Sequence, residues 1–594
     1  MSLTSSLLIG RTALNASQAA IQVTGNNMAN AATPGYHRQR VELGPLRGQR
    51  DGLGFVGRGV EISRISRAID PALTARFRGA LAQENASAVE RQVLSSLEAM
   101  MNELTDADLS SQMGRFFNAW SELANNPGSS VTRAAVVEEG ANLAGYINGL
   151  RSDLIQQRGQ IEQQIAFNVD RANTLLTEIA GLNQAIVNAE QGNAVEGNLR
   201  DQRGVLLDEL AGMLDVTVIE QQSGAVDVLV DSFPIVLGST ARGMELDIRS
   251  VEPNPQINEP GGIEYRIMSV LDQEEIRLTS GTLGGLLQQR DGSIQRTIDE
   301  LDSVAATLAF EVNRLHTSGR PVNGITDITS AESLEPSEWA VALNDPANET
   351  LALLPFAPRN GSFQVRVTDE NGNTFDQTIF VDLDGIDSAG ATGFGDDTTL
   401  DDLRASIDAV PNLNAEITAT GSLRIYTDVG YEVSFADDSS GVLAVLGINT
   451  FFTGSDAGDL AVAGALRADP ERISVGSGPG ENDTALAIAN LRDTPISRFP
   501  RFMNGGAPTS GDVTLQDLWG STVERNAVLA RSANTRYESL SAVRQSLEAQ
   551  DRAIGGVSMD EESINLIQYQ QQYQGAARFI SVVDELTQLL LSLV

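Results

Sequence analysis

The chain has few side chains that could act as acids, bases, nucleophiles or metal ligands. Histidine occurs twice, at His37 and His316. Cysteine is absent, which excludes a disulfide framework and a thiolate metal site. Lysine is also absent, so all 41 basic residues are arginine. That excludes a Schiff-base lysine, a phosphate-loop lysine and a Ser-Lys nucleophile pair. A Ser-His-Asp triad has only the two histidines as candidate bases, and neither stands beside a Gly-x-Ser-x-Gly turn. His316 follows Asn313 on a helical run closed by Gly319 and reads as a helix-terminal polar residue, while His37 beside Arg38 reads as solvated or interfacial. DENGNTFD at 369–376 has the outline of a calcium loop, but Thr374 stands where the loop needs glycine and no glutamate closes it, so a hairpin turn is expected. No catalytic residue, metal ligand or cofactor is assigned. Paired carboxylates leave no spacing signature, so a carboxylate-based hydrolase hidden in the acidic insert, residues 341–465, is the enzymatic alternative.

Amide and turn chemistry is dense instead. Residues 26–39 read NNMANAATPGYHRQ and hold Asn26, Asn27, Asn30, Pro34, Gly35 and Tyr36. Pro34 cannot continue a helix and pushes Thr33 toward extended backbone, and Gly35 accepts the positive φ of a tight turn. Three asparagines are more than the end of a helix requires.

The elements that position this hinge follow from periodicity. From Leu3 to about Ala31 the pattern is helical, with Leu7, Leu14, Ile21 and Met28 at intervals of seven and Gly10, Ser17 and Thr24 as a small second row. Glycines at 44, 48, 52, 54, 57 and 59 and the run VEISRI predict turns and a strand. Pro71 to Met213 reads as helices broken near 125–130 and 191–198, packing as a bundle, and 215–281 as hairpins. Helix returns over about 283–316 and 515–550. Between Pro321 and Gly480, 26 acidic residues stand against 6 arginines, and two alternating runs flank Asn371-Gly372. NAEITATGSLRIYTDVGYEVSF reads as a three-strand meander. After Gly555-Gly556, Ser558 and Glu561 have capping-box spacing. Leu566, Tyr569, Tyr573, Ala576, Ile580, Val583, Thr587, Leu590 and Val594 then follow steps of three and four, which predicts a second seam helix.

The fold class expected is α+β and multidomain: a terminal α-helical coiled coil, a long helical bundle domain with β-hairpins, and an inserted β-rich domain. The boundaries read as 1–45 with 551–594 for the coiled coil, 46–340 with 466–550 for the bundle, and 341–465 for the acidic insert. A chain of 594 residues with 41% hydrophobic content is long enough for several cores. Its net charge of −38 argues against nucleic acid and against anionic membrane as partners. No Sec-type signal pattern opens the sequence, and the closing LTQLLLSLV is shorter than the roughly 20 apolar residues a bilayer span needs. A soluble protein is expected, and any export would use another route.

NNMANAATPGY and the closing GVSMDEESINLIQYQQQYQGAARFISVVDELTQLLLSL resemble the paired terminal signatures of the flagellar axial family, which comprises rod, hook and hook-associated proteins. FFNAWSELANNP at 116–127, FEVNRLHTSG at 310–319, LGINTFFTGS at 446–455 and GPGENDTALAIANL at 478–491 resemble the hook-associated members at the hook-filament junction. That resemblance implies a structural subunit, not an enzyme, exported by the flagellar type III apparatus and located extracellularly at that junction. It implies self-association in a ring, contact with hook protein and with a second junction protein, and a cytosolic export chaperone holding the C-terminal helix. The residues expected at the assembly interface are Leu7, Leu14, Ile21, Met28, Asn26, Asn27, Asn30, Pro34, Gly35 and Tyr36 at one end. At the other they are Leu566, Tyr569, Tyr573, Ala576, Ile580, Val583 and Leu590. Another axial protein of hook or rod type is the alternative, disfavoured by the long helical section after residue 80.

Overall fold

The computed structural model describes residues 3–51, 54–102, 108–191, 195–251, 262–388, 390–478, 480–496 and 513–592. Helix α1 (Leu3–Ala29) opens the chain. Strand β1 (Gln39–Pro45) then pairs antiparallel with β4 (Val60–Arg67), and β2 (Gln49–Asp51) pairs with β3 (Gly54–Val56) between them. Asp70 caps α2 (Pro71–Met101) by accepting from the N–H groups of Ala72 and Leu73, and Pro71 takes the first turn, where a missing N–H costs nothing. The bundle continues with α3 (Leu109–Asn125), α4 (Ser130–Ala189) and α5 (Gly197–Met213). Helix α4 has 60 residues and so runs about 90 Å, which sets the long dimension of the bundle.

Strands β5 (Val216–Glu220), β6 (Val226–Val230), β7 (Phe233–Leu237) and β8 (Thr240–Ala241) form a meander, and β9 (Met244–Val251) with β10 (Gly262–Ser269) a separate hairpin. Helix α6 (Gly281–Gln289) passes through a π-turn at Arg290–Ile294 into α7 (Gln295–Thr317). The inserted part holds β11 (Asp327–Ser333), the short α8 (Glu349–Ala352), β12 (Gly361–Asp369), β13 (Thr374–Val381), α9 (Leu400–Asp408), β14 (Leu413–Ile417), β15 (Ser422–Thr427), β16 (Tyr431–Ala436) and α10 (Val442–Leu446). The short elements β17 (Phe452–Thr453), β18 (Ala461–Val462), α11 (Gly464–Ala468) and α12 (Asp483–Asn490) lead back to α13 (Leu515–Gly555) and α14 (Met559–Ser592).

Two large cores divide this material. One runs from Val93 through the helices to Ala533 and takes in Phe451, Phe452, Leu460, Val462, Leu466, Ile473 and Val475. The other gathers Leu334 to Ile448 with the half-buried Ile325 and Ile328, and borrows Ala306 and Phe310 from α7. This second core therefore takes in residues ahead of 341 and stops at Ile448. β11 pairs with β15, which draws the earlier residues in, and the aromatic pair at 451–452 packs on the bundle, which pulls the later ones out. The hairpin across Asn371-Gly372 forms, with the Asp369 carboxylate accepting from the N–H groups of Asn371 and Asn373. The expected three-strand meander does not. β14 and β15 pair with each other, but β16 crosses to the other sheet and pairs with β12, because its alternate residues Val433 and Phe435 are needed in the core beside Val365 and Val367.

The four internal stretches quoted above meet at the root of the insert. Phe116 and Trp120 of α3 pack against Phe451 and Phe452, with ring centroids 5.3 to 5.7 Å apart, and the Asn482 side chain donates to the Ala124 carbonyl at 2.7 Å. Asn313 Oδ1 accepts from the N–H groups of Phe451 (3.0 Å) and Phe452 (2.8 Å), and its Nδ2 donates to the Phe452 carbonyl at 2.9 Å. His316 does close α7, but it is fully buried: Nδ1 lies 2.8 Å from the Asn449 carbonyl and Nε2 accepts from the Ser474 N–H at 3.1 Å. Burial pushes its pKa down to about 4, so the ring stays neutral and serves as a spacer in the core. Asn313→Ala should destabilise the fold by about 3 kcal/mol, since it orphans two buried N–H donors and a carbonyl. Urea titration measures this, and a loss under about 0.5 kcal/mol would show the insert root is held by packing alone.

Candidate assembly joint

The three asparagines of the hinge divide two tasks. Asn30 works locally, donating to the Asn26 backbone carbonyl and to Asn26 Oδ1, both at 3.0 Å, and accepting from the Thr33 hydroxyl at 3.2 Å. Asn27, on the last turns of α1 and 1% exposed, works at long range. Its Oδ1 accepts from the Tyr36 hydroxyl (2.8 Å) and the Gln39 N–H (2.9 Å), while its Nδ2 donates to the Gln39 carbonyl and to Glu562 Oε2, each at 2.9 Å. All four hydrogen-bonding positions of the amide are used. Asn26 adds a donor to the Tyr36 hydroxyl at 3.2 Å.

Gly35 turns the chain at φ +73°, and a Cβ there would lie 2.2 Å from Val205 Cγ2 on α5, so glycine is required both by backbone and by space. Beyond the turn, the Arg38 N–H donates to the Gly555 carbonyl at 2.8 Å, and its guanidinium meets Glu561 and Glu562 in the first turn of α14, each at 2.7 Å. His37 bridges two helices: its N–H donates to Asp201 Oδ2 at 3.1 Å, its Nδ1 lies 2.9 Å from Asp201 Oδ1 on α5, and its Nε2 lies 3.9 Å from Asp551 on α13. Arg67 of β4 reaches the same Asp201 at 2.8 Å. A single cluster thus ties α1, β1, β4, α5, α13 and α14 together.

The hydrogen bonds to Asp201 and Asp551 raise the His37 pKa from 6.5 to about 9 against the opposing effect of burial, so the ring is cationic at neutral pH. Burial, with the charges of Asp201 and Glu562, holds the Tyr36 phenol up at about 12, so it remains a donor. Among the described residues the joint sets no nucleophile beside a base.

Above the joint, α1 and α14 pack side by side. The row of α1 that is buried is Gly10, Ala16, Ser17, Ala20, Thr24 and Asn27, the small one, whereas Leu7, Leu14, Ile21 and Met28 are half-buried along its edge. The reason is volume. α14 brings large residues to the contact, and a Cβ on Gly10 would sit 2.6 Å from Ile580 Cγ1, so α1 must supply space. Val583 is buried; Leu566, Tyr569, Tyr573, Ala576 and Ile580 are half-buried on the same side of α14, and Leu590 is 52% exposed. Val594 lies outside the described residues. A second apolar stripe, Val582, Leu586 and Leu589 with Ile564 nearer the start of the helix, lies off that contact and is 50 to 65% exposed, while Phe579 sits between the two, 44% exposed and against Gly10. The seam residues named from sequence thus face α1 of their own chain, while this outward stripe was missed, although its own spacing of three and four was legible. Glu562, Arg38, His37 and Asp201 were also not identified as joint residues, because their partners are hundreds of positions away.

Asn27→Ala should cost about 2–3 kcal/mol and make residues 3–30 and 559–592 accessible to limited proteolysis before the bundle unfolds; equal protection would show that the amide is dispensable. His37 contributes stability that is complete below pH 6.5 and declines as pH rises through about 9, because its folded pKa is raised. Hydrogen exchange at 26–39 should therefore accelerate between pH 7 and 10 beyond its intrinsic pH dependence, and His37→Gln should abolish that excess.

Comparison with known proteins gives three family matches. Residues 94–329 match the flagellar hook-associated protein FlgK helical domain, 555–593 the flagellar basal body rod FlgEFG protein C-terminal model, and 7–37 the flagella basal body rod protein model. The flagellar hook-associated protein 1 of Salmonella typhimurium is 25% identical over 588 residues, covering 98% of both chains. That of Bacillus subtilis is 28% identical over 366 residues, covering 56% of this chain and 71% of its own. A solved flagellar hook junction protein from Burkholderia pseudomallei aligns at 12% identity over 81% of this chain and all of that one with a TM-score of 0.46, too loose a likeness to support any detail.

Proposed function

We propose, for a chain that belongs to the flagellar hook-associated protein 1 family, that the outward stripe of α14 is the surface through which copies pack at the junction of hook and filament. The family is structural, not enzymatic, and the chain is a structural component of the bacterial flagellum. The terminal matches at 7–37 and 555–593 are shared with rod proteins, whereas the helical match at 94–329 is to the hook-associated protein. No helix among the described residues is long and apolar enough to cross a membrane.

The observation that carries the proposal is the two-sided apolar character of α14. One side is satisfied by α1; the other exposes Val582, Leu586 and Leu589 over two turns, more apolar surface than an isolated helix pair keeps in water. In the assembly we infer a ring of equivalent copies, seated on hook protein and followed by a second junction protein. Before assembly the same stripe needs cover, and a cytosolic export chaperone on the C-terminal helix supplies it. Export through the flagellar type III apparatus then delivers the subunit to its extracellular place. Immuno-electron microscopy on detached hooks tests the location directly.

Leu586→Asp should leave the thermal stability of the isolated chain within about 0.5 kcal/mol of wild type, because the residue is already exposed. In the assembled junction the same charge is buried without a partner at every copy, at several kcal/mol each, and flagellin should be lost to the medium. Gln570→Asp, on neither apolar side, should be motile. Equal motility of the two strains would remove the stripe from the interface.

A further inference from the structure

The β2–β3 hairpin stands out chemically in so acidic a chain. Residues 38–67 carry seven arginines against three acidic residues, within a protein of net charge −38. Arg38, Arg64 and Arg67 are in ion pairs. Arg47, Arg50 and Arg58 are exposed with no carboxylate partner among the described residues, and Phe55 beside them is 80% exposed. An aromatic ring held out among unpaired guanidinium groups is costly to keep in water and suits an apolar recess with an acidic rim.

Such a recess exists at the joint. The hinge turn and helices α4 and α5 enclose a groove of about 790 Å³ lined by Pro34, Tyr36, Leu182, Val205 and Leu206. Glu178 lies at this groove, exposed and without a cationic partner among the described residues. The chain cannot fill its own groove with its own hairpin. The β1–β4 pair that carries the hairpin lies along α1 from Gln39, bonded to Asn27, to Val60, whose N–H donates to Thr12 Oγ1. Those fifteen residues of helix place the base of the hairpin about 22 Å from the hinge.

We propose that the arginine- and Phe55-bearing hairpin of one copy docks in the hinge groove of a second copy. This rests on the junction assembly proposed above and names a contact within it. Phe55 enters among Pro34, Leu182 and Val205, and the arginines face Glu178. Knob and groove are different surfaces of one chain, so the contact is heterologous and continues from copy to copy.

Because the chain has no cysteine, the test is clean. In cells carrying Phe55→Cys with Val205→Cys, detached hooks should give a ladder of disulfide-linked dimers, trimers and higher multimers on non-reducing gels. Each single variant, and the Phe55→Cys with Val131→Cys pair, should stay at least tenfold lower in multimer, although Val131 is 76% exposed. Circular dichroism of each purified variant confirms that it folds as wild type. A chain present at the junction by immuno-electron microscopy but giving no ladder, or a ladder equally strong with Val131→Cys, overturns the docking and leaves the junction function standing. Absence of the wild-type chain from the junction overturns both.

Discussion

The Asn27 carboxamide is a buried group that no water can reach to satisfy, and it is the point at which the two ends of the chain become one structure. With both donors and both acceptor positions committed, it fixes the backbone after the hinge, the Tyr36 phenol and the first turn of α14 relative to α1. Any rotation of α14 about its axis would strand Glu562, which is itself buried and already shared with Arg38. The terminal pair has little else to set its register, because the buried face of α1 is made of glycine, alanine, serine and threonine, which pack closely but interlock weakly. Registration comes from the polar joint, and close approach from the small residues.

The same division recurs at the root of the insert. Asn313 fixes the backbone at 451–452 by three hydrogen bonds while Phe116, Trp120 and the two phenylalanines supply the burial. In both places an asparagine near the C-terminal end of a helix reaches a distant backbone segment. Its short side chain can both donate and accept without adding charge to an interior that could not solvate one. His316 follows the same logic: an imidazole held neutral by burial can accept from one backbone N–H and donate to one carbonyl.

Much of this was legible in the residues. The long helices, their breaks at 125–130 and near 191–198, the Asn371-Gly372 hairpin and the paired terminal helices follow from period, turn chemistry and capping alone. Sequence patterns failed where a choice depended on a partner far along the chain. Leu7, Leu14, Ile21 and Met28 make a better seam than Gly10, Ser17 and Thr24 until the bulk of Ile580 is known to arrive opposite. β16 continues a meander by local pattern, and only the core's need for Val433 and Phe435 moves it to the other sheet. His316 could not be told from a surface residue because the groups that enclose it, Asn449 and Ser474, are more than 130 positions away. The joint was visible as an excess of asparagine, but not as a set of contacts.

Helix α4 gives the joint a mechanical meaning. The hinge turn lies against α4 near Gly181, some fifty residues from the start of that helix at Ser130, a lever of about 75 Å. A tilt of one degree at the joint moves the far end by roughly 1.3 Å over that length, enough to disturb packing there. Strain along the molecule must therefore be taken up somewhere other than the joint. The network of His37, Arg38, Asp201 and Glu562 makes this the stiff end of the beam, and leaves compliance to the small-residue contact between α1 and α14 away from Asn27.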